Sequence, residues 1–533
     1  MNAGSPKDLF RYFSRDNFIS VLQQDQEWDV VVIGGGASGL GAALDAASRG
    51  YRTLLLEQAD FSKGTSSRST KLVHGGVRYL AQGNIGLVKE ALYERGLLLH
   101  NAPHLVHKQS FVIPCYSWFD KMKYLLGLKL YDWLAGGLTF GPSRFINAKT
   151  LASELPELKK EGLLGGVEYW DGQFDDSRLA INLAQTCAEY GGCLINYCRV
   201  TSLTKDASGR INGLIAFDLE NQQQYTVRAK AVVNATGVFV DEILRMDDAE
   251  RHALVSPSQG VHLVLDRSFL KGDKAIMIPR TADGRVLFAV PWHNHVVVGT
   301  TDTPLDKLSI EPRALPAEID FILKIAADYL VQPPTATDVL TVFAGLRPLA
   351  APTKATSNTK EISRSHKLLV SPSGLITITG GKWTTYRKMA EDTINQAIRT
   401  AGLSPKECRT KDLKIHGFSR PCPQDELGVY RIDEDLIKAL ALANPQLTEV
   451  LHPAFPYTAT EVVWAVRAEM ARTVEDVLAR RLRVLFLDAK AAMAMAPKVA
   501  RIMAGELNRD EDWVNNQIAD FAHLAEGYLI KNQ

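Results

Sequence analysis

Cysteine is scarce in this chain, and none of it stands in a pattern that chemistry demands. Six occur in 533 residues (Cys115, Cys187, Cys193, Cys198, Cys408 and Cys422), without the paired C-x-x-C spacing of a zinc or redox site. Cys193 and Cys198, five apart in the strand-like CLINYCRV, read as reduced core residues, which fits a reducing compartment and argues against a disulfide-stapled secreted domain. Long apolar runs are also missing: there is no stretch of about 18 uncharged apolar residues, so no membrane span is expected. The first residues, MNAGSPKDLFRYFSRDNF, show no apolar core followed by a cleavage site, so no secretory signal is read there. An excess of one charge is lacking too. Lys+Arg number 61 and Asp+Glu 60, a formal net charge of +1, which leaves no global field for nucleic acid. Any anion site must be local. No internal repeat or low-complexity tract is present.

What remains is the composition of a globular protein, 46% hydrophobic and 23% charged, in a chain too long for one core. WDVVVI (28–33) reads as a buried parallel strand, glycines follow, a helix runs from about 38 to 49 and ends at Gly50, and YRTLLLE is the next strand. This is a βαβ unit. RVLFAVPWHNHVVVGTT reads as a hairpin turning near His293-Asn294. TEVVWAVRAEMARTVEDVLARRLRVLFL reads as helix. The expected fold is α/β: a Rossmann-like dinucleotide-binding domain with an antiparallel-sheet substrate (cap) domain and a C-terminal helical domain. The expected boundaries are an N-terminal arm at 1–27, the dinucleotide domain at 28–110, 160–250 and 340–400, and the cap at 111–159 and 251–339. A linker follows at 401–426 and the helical domain at 427–533.

VVVIGGGASGLGAA places Gly34, Gly36 and Gly39 in a G-x-G-x-x-G turn between strand and helix, with Ser38 inside it. The first glycine allows the tight turn, the second lets backbone approach a pyrophosphate, and the third lets helix pack on strand. The pyrophosphate then meets the positive helix end. Glu57 closes the next strand 18 residues after Gly39, where a carboxylate accepts bonds from a ribose diol. A nicotinamide enzyme usually continues into another helix and strand. Here QADFSKGTSSRSTKLVHGG follows instead, a polar loop of the kind that lines a flavin. Its Thr65, Ser66, Ser67, Ser69, Lys71, His74 and Gly75 are cofactor candidates. Further ones are Val200, then Ala235, Thr236 and Gly237 at the end of a second hydrophobic strand, and Gly381, Thr384 and Thr385.

GTSSRSTKLVHGGVRYL, NATGVFVDEI, VGTTDTP, AGLRPL, TGGKWTTYRKMAED and ARTVEDVLARRLRVLFLDA, in that order from about 28 to 490, together resemble the FAD-dependent glycerol-3-phosphate dehydrogenases. These are the respiratory branch of the D-amino-acid-oxidase-like flavoproteins. The resemblance implies FAD as cofactor, and oxidation of sn-glycerol 3-phosphate to dihydroxyacetone phosphate with electrons passed to a membrane quinone. It also implies peripheral attachment at the inner face of the cytoplasmic membrane. At matching positions, Arg78, Tyr79, Arg347 and Lys382 line the substrate site, Asp302 lies near it, and a further Arg falls between the last two. Arg364 in EISRSH, in less similar surroundings, is its candidate.

The chemistry agrees with that assignment. A phosphomonoester dianion needs fixed cations, and the planar fork of Arg suits it best. Arg78 follows Gly75 and Gly76, whose missing side chains leave room over an isoalloxazine ring. Hydride removal from a carbinol also needs a base titrating near neutrality, and His74 and His262 are both candidates. His262 sits in the alternating strand SQGVHLVL and has a purely structural reading beside the catalytic one. His293 and His295, without a third ligand, are not read as a metal site. Two segments are able to meet a membrane surface, 8–22 and 117–134; docking on the protein body is the alternative for each. The Arg480-Arg481 pair is expected to face solvent. Three functional readings stay open beside the leading one: an oxidase passing electrons to O2 and yielding H2O2, a flavin-dependent amine oxidase, and a nucleotide-binding scaffold. A homodimer is open as well.

Overall fold

Val30, Val31 and Val32 have no exposed surface, because the strand Glu27–Ile33 is paired on both edges. Gln223–Asn234 runs parallel to it on one side and Thr53–Leu56 on the other. Helices cover such a strand above and below, which is why WDVVVI is continuously apolar instead of alternating. The computed structural model describes residues 13–81, 83–279, 286–350, 366–419 and 427–530, the side chains of Arg78, Ala81 and Ala350 excepted. The first sheet runs Lys367–Val370, Ile376–Thr379, Gln223–Asn234, Glu27–Ile33, Thr53–Leu56, Cys193–Ile195. Ile211–Asp218 and Cys198–Lys205 extend it antiparallel from Gln223–Asn234. Helix Ala37–Ser48 leaves the central strand and packs against Asp176–Glu189 and Tyr386–Ala401.

The second sheet is built around Val255–Asp266, antiparallel to both His295–Gly299 and Val339–Ala350. It continues through Leu287–Trp292, Ala275–Ile278, Val106–Cys115 and Gly165–Phe174 to Leu72–Val73. The expected hairpin is there: His293 and Asn294 take φ of +45° and +58°, the left-handed pair of a type I′ turn. Leu72–Val73, inside the expected 28–110 segment, belongs to this sheet. So do Gly165–Phe174 and Val339–Ala350, although the sequence pattern groups residues from 160 and from 340 with the dinucleotide-binding segments. Their partners, Val106–Cys115 and Val255–Asp266, are distant in the chain, and local pattern does not reveal them.

Two further expectations are modified by buried polar groups. CLINYCRV is not one strand but two, parted where Tyr197 turns to φ +54°. Its hydroxyl donates to Asp476 at 2.7 Å, and the Asn196 side chain donates to the Met470 carbonyl at 2.9 Å. Cys193 and Cys198 are both buried, unbridged thiols; Cys422 lies outside the described residues. The C-terminal part is helical as expected, and the stretch 460–487 divides into separate turns. Ala459–Glu469 ends at Met470 with φ +56°, and Asp476–Arg481 forms one wide π turn. With Ala489–Leu507 and Glu511–Glu526 these elements share a core with Trp292, Val297 and Phe343 of the second sheet. Arg480 and Arg481 do not face solvent. They are 1% and 4% exposed, because the carboxylates that neutralise them lie inside.

Residues 401–419 lie along the first domain. Tyr51 donates to the Ser404 carbonyl at 2.6 Å and Asn101 to that of Lys411 at 2.9 Å. At the end of this stretch His416 is clasped by Asp433 at 2.8 Å and Glu189 at 2.5 Å. Burial alone would lower its pKa, but the two carboxylates overcome it and hold the imidazolium up to about 10. A pKa raised above the unfolded value of about 6.5 gives stability that is complete below that pH and is lost as pH rises toward the folded value. We therefore expect denaturant midpoints to fall between pH 6.5 and 10, and His416→Gln, less stable at pH 6, to show little of that slope.

Candidate functional site

The glycine turn is close-packed by necessity. A Cβ on Gly39 would overlap the Gly34 carbonyl oxygen, and one on Gly34, whose φ is +108°, would lie 2.8 Å from the Ala235 carbonyl oxygen. A Cβ on Gly36 would come within 3.1 Å of Ser66 Oγ. Ser66 itself accepts from the Ala37 amide at 2.9 Å, and its carbonyl accepts from Trp383 Nε1 at 2.8 Å. The loop after Glu57 is thus fastened over the start of the helix. Glu57 accepts from the Gly35 amide at 2.6 Å through one oxygen and from the Ala59 amide at 2.9 Å through the other. Burial pushes its pKa above the usual carboxylate value, with the two amides pulling it back.

A cavity of about 450 Å³ begins at Gly34, Gly36 and Ser38 and passes Glu57, Val200 and Thr236. It reaches His74, Gly76, Tyr79, His262, Asp302, Arg347 and Lys382. Each strand end contributes for a topological reason. The first sheet opens its crevice where neighbours of the central strand diverge, and the second sheet stands across it. Arg347 is opposite Ser258 in the antiparallel register. It donates to the Gln259 carbonyl at 3.3 Å and to Thr300 Oγ1 at 3.1 Å, and lies 3.5 Å from Asp302. Asp302 also accepts from Ser258 Oγ. Its immediate part is to hold the guanidinium. Lys382 Nζ stands 3.9 Å from the centre of the Tyr79 ring.

His262 is 3% exposed and stacks on Phe343 with ring centres 4.8 Å apart. Its Nε2 is 2.9 Å from Thr70 Oγ1. Burial, with Lys71 and Arg347 adding to it, pushes its pKa well below the ordinary value, so at pH 7 the ring is neutral. His74 is half-buried, its amide donating to Thr384 Oγ1 at 3.1 Å.

Several expected contacts lie elsewhere. Gly39, Ser67, Lys71, Gly75 and Thr385 are absent from the cavity wall. Lys71 is fully buried, bonding Asp176 and the Ser67 carbonyl, both at 2.7 Å. Burial draws its pKa down to about 7 against the pull of Asp176. The space left by Gly75 is filled by Tyr131 and Leu92, so that glycine serves helix packing rather than room over a ring. Gly76 does face the cavity, at φ +80°. The Arg78 side chain and all of Arg364 lie outside the described residues; Val77 and Tyr79 beside Arg78 line the cavity. Thr65, Ser66, Ser69, Ala235, Gly237, Gly381 and Thr384 line it as expected. Sequence reasoning missed Thr70, Thr300, Trp383 and an apolar wall of Phe111, Tyr169, Met277 and Phe288. Trp383 inside TGGKWTT, Thr70 inside GTSSRST and Thr300 inside VGTTDTP had a local signal; the apolar wall had none.

A family model for FAD dependent oxidoreductases matches residues 29–387, and one for the C-terminal domain of alpha-glycerophosphate oxidase matches 431–514. The chain belongs to the FAD-dependent oxidoreductase family. Within it the relatives are glycerol-3-phosphate dehydrogenases. The mitochondrial enzyme of Macaca fascicularis is 39% identical over 560 residues, covering 98% of this chain and 76% of that protein. A probable mitochondrial one from Dictyostelium discoideum is 39% identical, covering 95% and 85%. The crystal structure of glycerol-3-phosphate dehydrogenase from Bacillus halodurans, complexed with FAD, superposes with a TM-score of 0.79 at 30% identity, covering 98% of this chain and all of that one. The chain is thus a member of the glycerol-3-phosphate dehydrogenase family. FAD is its cofactor, and the residues fit it: side-chain-free backbone at Gly34 and Gly36 on the cavity wall, Gly39 packing the helix against the Gly34 carbonyl, and Glu57 beyond them. Both Glu57 oxygens already accept one amide, and each keeps a lone pair for a ribose hydroxyl.

Proposed function

We propose that the protein oxidises sn-glycerol 3-phosphate to dihydroxyacetone phosphate and passes the electrons to a membrane quinone. The observation that carries this is a cationic, imidazole-bearing pocket in the same cavity as the glycine turn: Arg347, Lys382, His262 and His74 with Tyr79. Arg347 is braced by Asp302, Thr300 and the Gln259 carbonyl, which fixes its fork for a phosphate dianion before substrate arrives. Lys382, on the Tyr79 ring, adds a second positive charge. FAD, when bound, supplies the hydride acceptor. As the carbinol C–H bond gives up its hydride, the hydroxyl proton must leave to a base and the C=O bond forms. His262 is neutral at pH 7 and able to accept that proton, but burial, with Lys71 and Arg347 adding to it, makes it a weaker base than the near-neutral group that suits this step best; His74 is the alternative. The catalytic set proposed is therefore His74, His262, Arg78, Arg347 and Lys382.

The names of the relatives support the substrate. A lipid-soluble acceptor requires contact with the bilayer, and we place the protein peripherally on the inner face of the cytoplasmic membrane. No helix among the described residues is long and apolar enough to cross it. Anaerobic addition of sn-glycerol 3-phosphate to purified holoprotein is expected to bleach the visible flavin band, and glycine or proline is not. Bleaching by the amino acids alone would replace this reading with the amine oxidase. Reoxidation of the bleached protein by a quinone analogue faster than by O2 separates dehydrogenase from oxidase.

A further inference from the structure

His262 is wedged so that its ring has one orientation. In the strand Val255–Asp266 its neighbours across the two ladders are Phe343 and Gly299. Phe343 stacks on one face of the ring, with 15° between the planes. Gly299 leaves room for the ring edge, which a Cβ at that position would overlap. With the ring fixed, its two nitrogens meet different surroundings. Nε2 lies 2.9 Å from Thr70 Oγ1, whereas Nδ1 is sealed from solvent and has no hydrogen-bond partner among the described residues.

That asymmetry places the proton. A neutral imidazole carries one N–H and one bare nitrogen. A buried N–H without an acceptor is among the rarest defects of a folded protein, so the hydrogen belongs on Nε2, where Thr70 Oγ1 accepts it. A second proton, on Nδ1, would add a third positive charge beside Lys71 and Arg347, whose fields join burial in holding the ring neutral. The carboxylates near those two cations, Asp176 and Asp302, bond to them and not to the ring. The imidazole therefore donates, and Thr70 keeps its own hydroxyl hydrogen for another acceptor.

Thr70 lines the cavity and is held still there. Ser69 on one side gives its amide and its hydroxyl to Asp176 at 3.1 and 2.7 Å, and Lys71 on the other reaches the same carboxylate at 2.7 Å. Its place along the strand gives it a task. The Arg347 guanidinium fills the space over Gly260, where a Cβ would overlap it. Gly260 and His262 are alternate residues of one strand, so they share a face about 7 Å apart. In sn-glycerol 3-phosphate only an oxygen and a methylene separate the phosphorus from the carbinol carbon. A phosphate held by Arg347 thus brings the carbinol oxygen toward the place that Thr70 borders. We infer that Thr70 donates its hydroxyl hydrogen to the oxygen on the carbon being oxidised, stabilising the negative charge that gathers there as the hydroxyl proton leaves, and that His262 holds Thr70 for this and takes no proton itself. The inference rests on the glycerol phosphate reading above and narrows it: the proton goes to the other imidazole, His74, and the hydride to the flavin.

Two measurements on the holoprotein test the two residues. Nitrogen-15 NMR of histidine-labelled wild type, with the His262 signals assigned by their loss in His262→Gln, is expected to show the neutral Nε2–H form throughout about pH 5.5 to 8.5. An Nδ1–H form, or titration within that range, overturns the donor role of His262. Anaerobic single-turnover reduction by sn-glycerol 3-phosphate is expected to slow about 10²-fold in Thr70→Val, the usual cost of losing one donor to a developing oxyanion. Half-saturation should stay within about threefold of the wild type, because the interaction strengthens only toward the transition state. The flavin band and the apparent pKa of the rate should not move, and Thr70→Ser should recover most of the rate. An undiminished rate in Thr70→Val overturns the role of Thr70. So does an equal loss in Thr70→Ser, which would assign the effect to packing of the methyl group. A displaced flavin band in Thr70→Val overturns the substrate contact and gives the hydroxyl to a flavin oxygen. If sn-glycerol 3-phosphate does not reduce the wild-type flavin, the substrate reading falls and the NMR result on His262 stands.

Discussion

Arg347→Ala is expected to lower kcat/KM for sn-glycerol 3-phosphate by about 10²- to 10³-fold while flavin content stays that of the wild type. The size follows from what the guanidinium is set up to do. A phosphate dianion leaving water needs charge-assisted donors in place before it arrives. Arg347 is held by bonds to Gln259, in the neighbouring strand of the second sheet, and to Thr300 and Asp302, in the short connection between the strands His295–Gly299 and Thr303–Pro304 of that sheet. Its removal therefore leaves the glycine turn of the first sheet untouched. Most of the loss should appear in KM, since the phosphate lies remote from the carbon that is oxidised and its binding is shared by ground state and transition state. Arg347→Lys should recover only part, because an ammonium offers one charge without the planar fork. Asp302→Asn is a milder version, as it loosens the brace without removing the charge. An unchanged KM in Arg347→Ala, with flavin present, would leave the phosphate without its main partner and discard this pocket as the anion site.

The cofactor half of the cavity was legible in the sequence because its logic is local. Gly34, Gly36, Gly39 and Glu57 fall within one βαβ unit, and each is there for a steric or hydrogen-bonding reason that spacing alone expresses. The substrate half was not legible in that way. Arg347 meets Thr300 and Gln259 only because Val339–Ala350 pairs with Val255–Asp266 in one register, so its neighbours depend on long-range strand pairing. Family resemblance supplied Arg347, Lys382 and His262; Thr70 and Thr300 stand inside the matching stretches GTSSRST and VGTTDTP, but no chemistry readable from spacing singled them out. Gly75 shows the opposite error. A glycine pair beside a reactive loop invites the thought of space for a ring, yet Tyr131 and Leu92 fill the space at Gly75. Helix Trp118–Ala135 escaped a clear reading because it is apolar on two sides, with Leu128 and Tyr131 buried and Phe119 and Trp133 exposed, and sequence periodicity does not say which side the body takes.

Asp60→Ala should be among the most destabilising single substitutions in the chain, about 3–5 kcal/mol by chemical denaturation. Asp60 has no exposed surface and accepts from both members of the arginine pair: Arg480 Nε at 2.5 Å, Arg481 Nη1 at 2.6 Å and Nη2 at 3.0 Å. Burial by itself would raise its pKa, but Arg481 and Arg480 more than offset that and hold it below the usual carboxylate value. A depressed carboxylate gives stability that is present above its unfolded pKa of about 3.9 and lost as pH falls through the folded value. The variant should therefore show a shallower acid limb as well as a lower plateau. The Asp60 loop also links the two halves of the molecule. Ser62 donates its amide to the Gly35 carbonyl at 2.9 Å, and Lys63 reaches Glu475 at 2.6 Å. Loosening it should cost flavin retention in addition to stability, seen as a lower flavin-to-protein ratio after gel filtration. What makes the loss large is the pair of guanidiniums left behind without water. The double variant Asp60→Leu/Arg481→Leu, which removes one charge of each sign, should consequently be more stable than Asp60→Leu alone. If it is less stable, the carboxylate acts through packing of the loop and not through the buried charges.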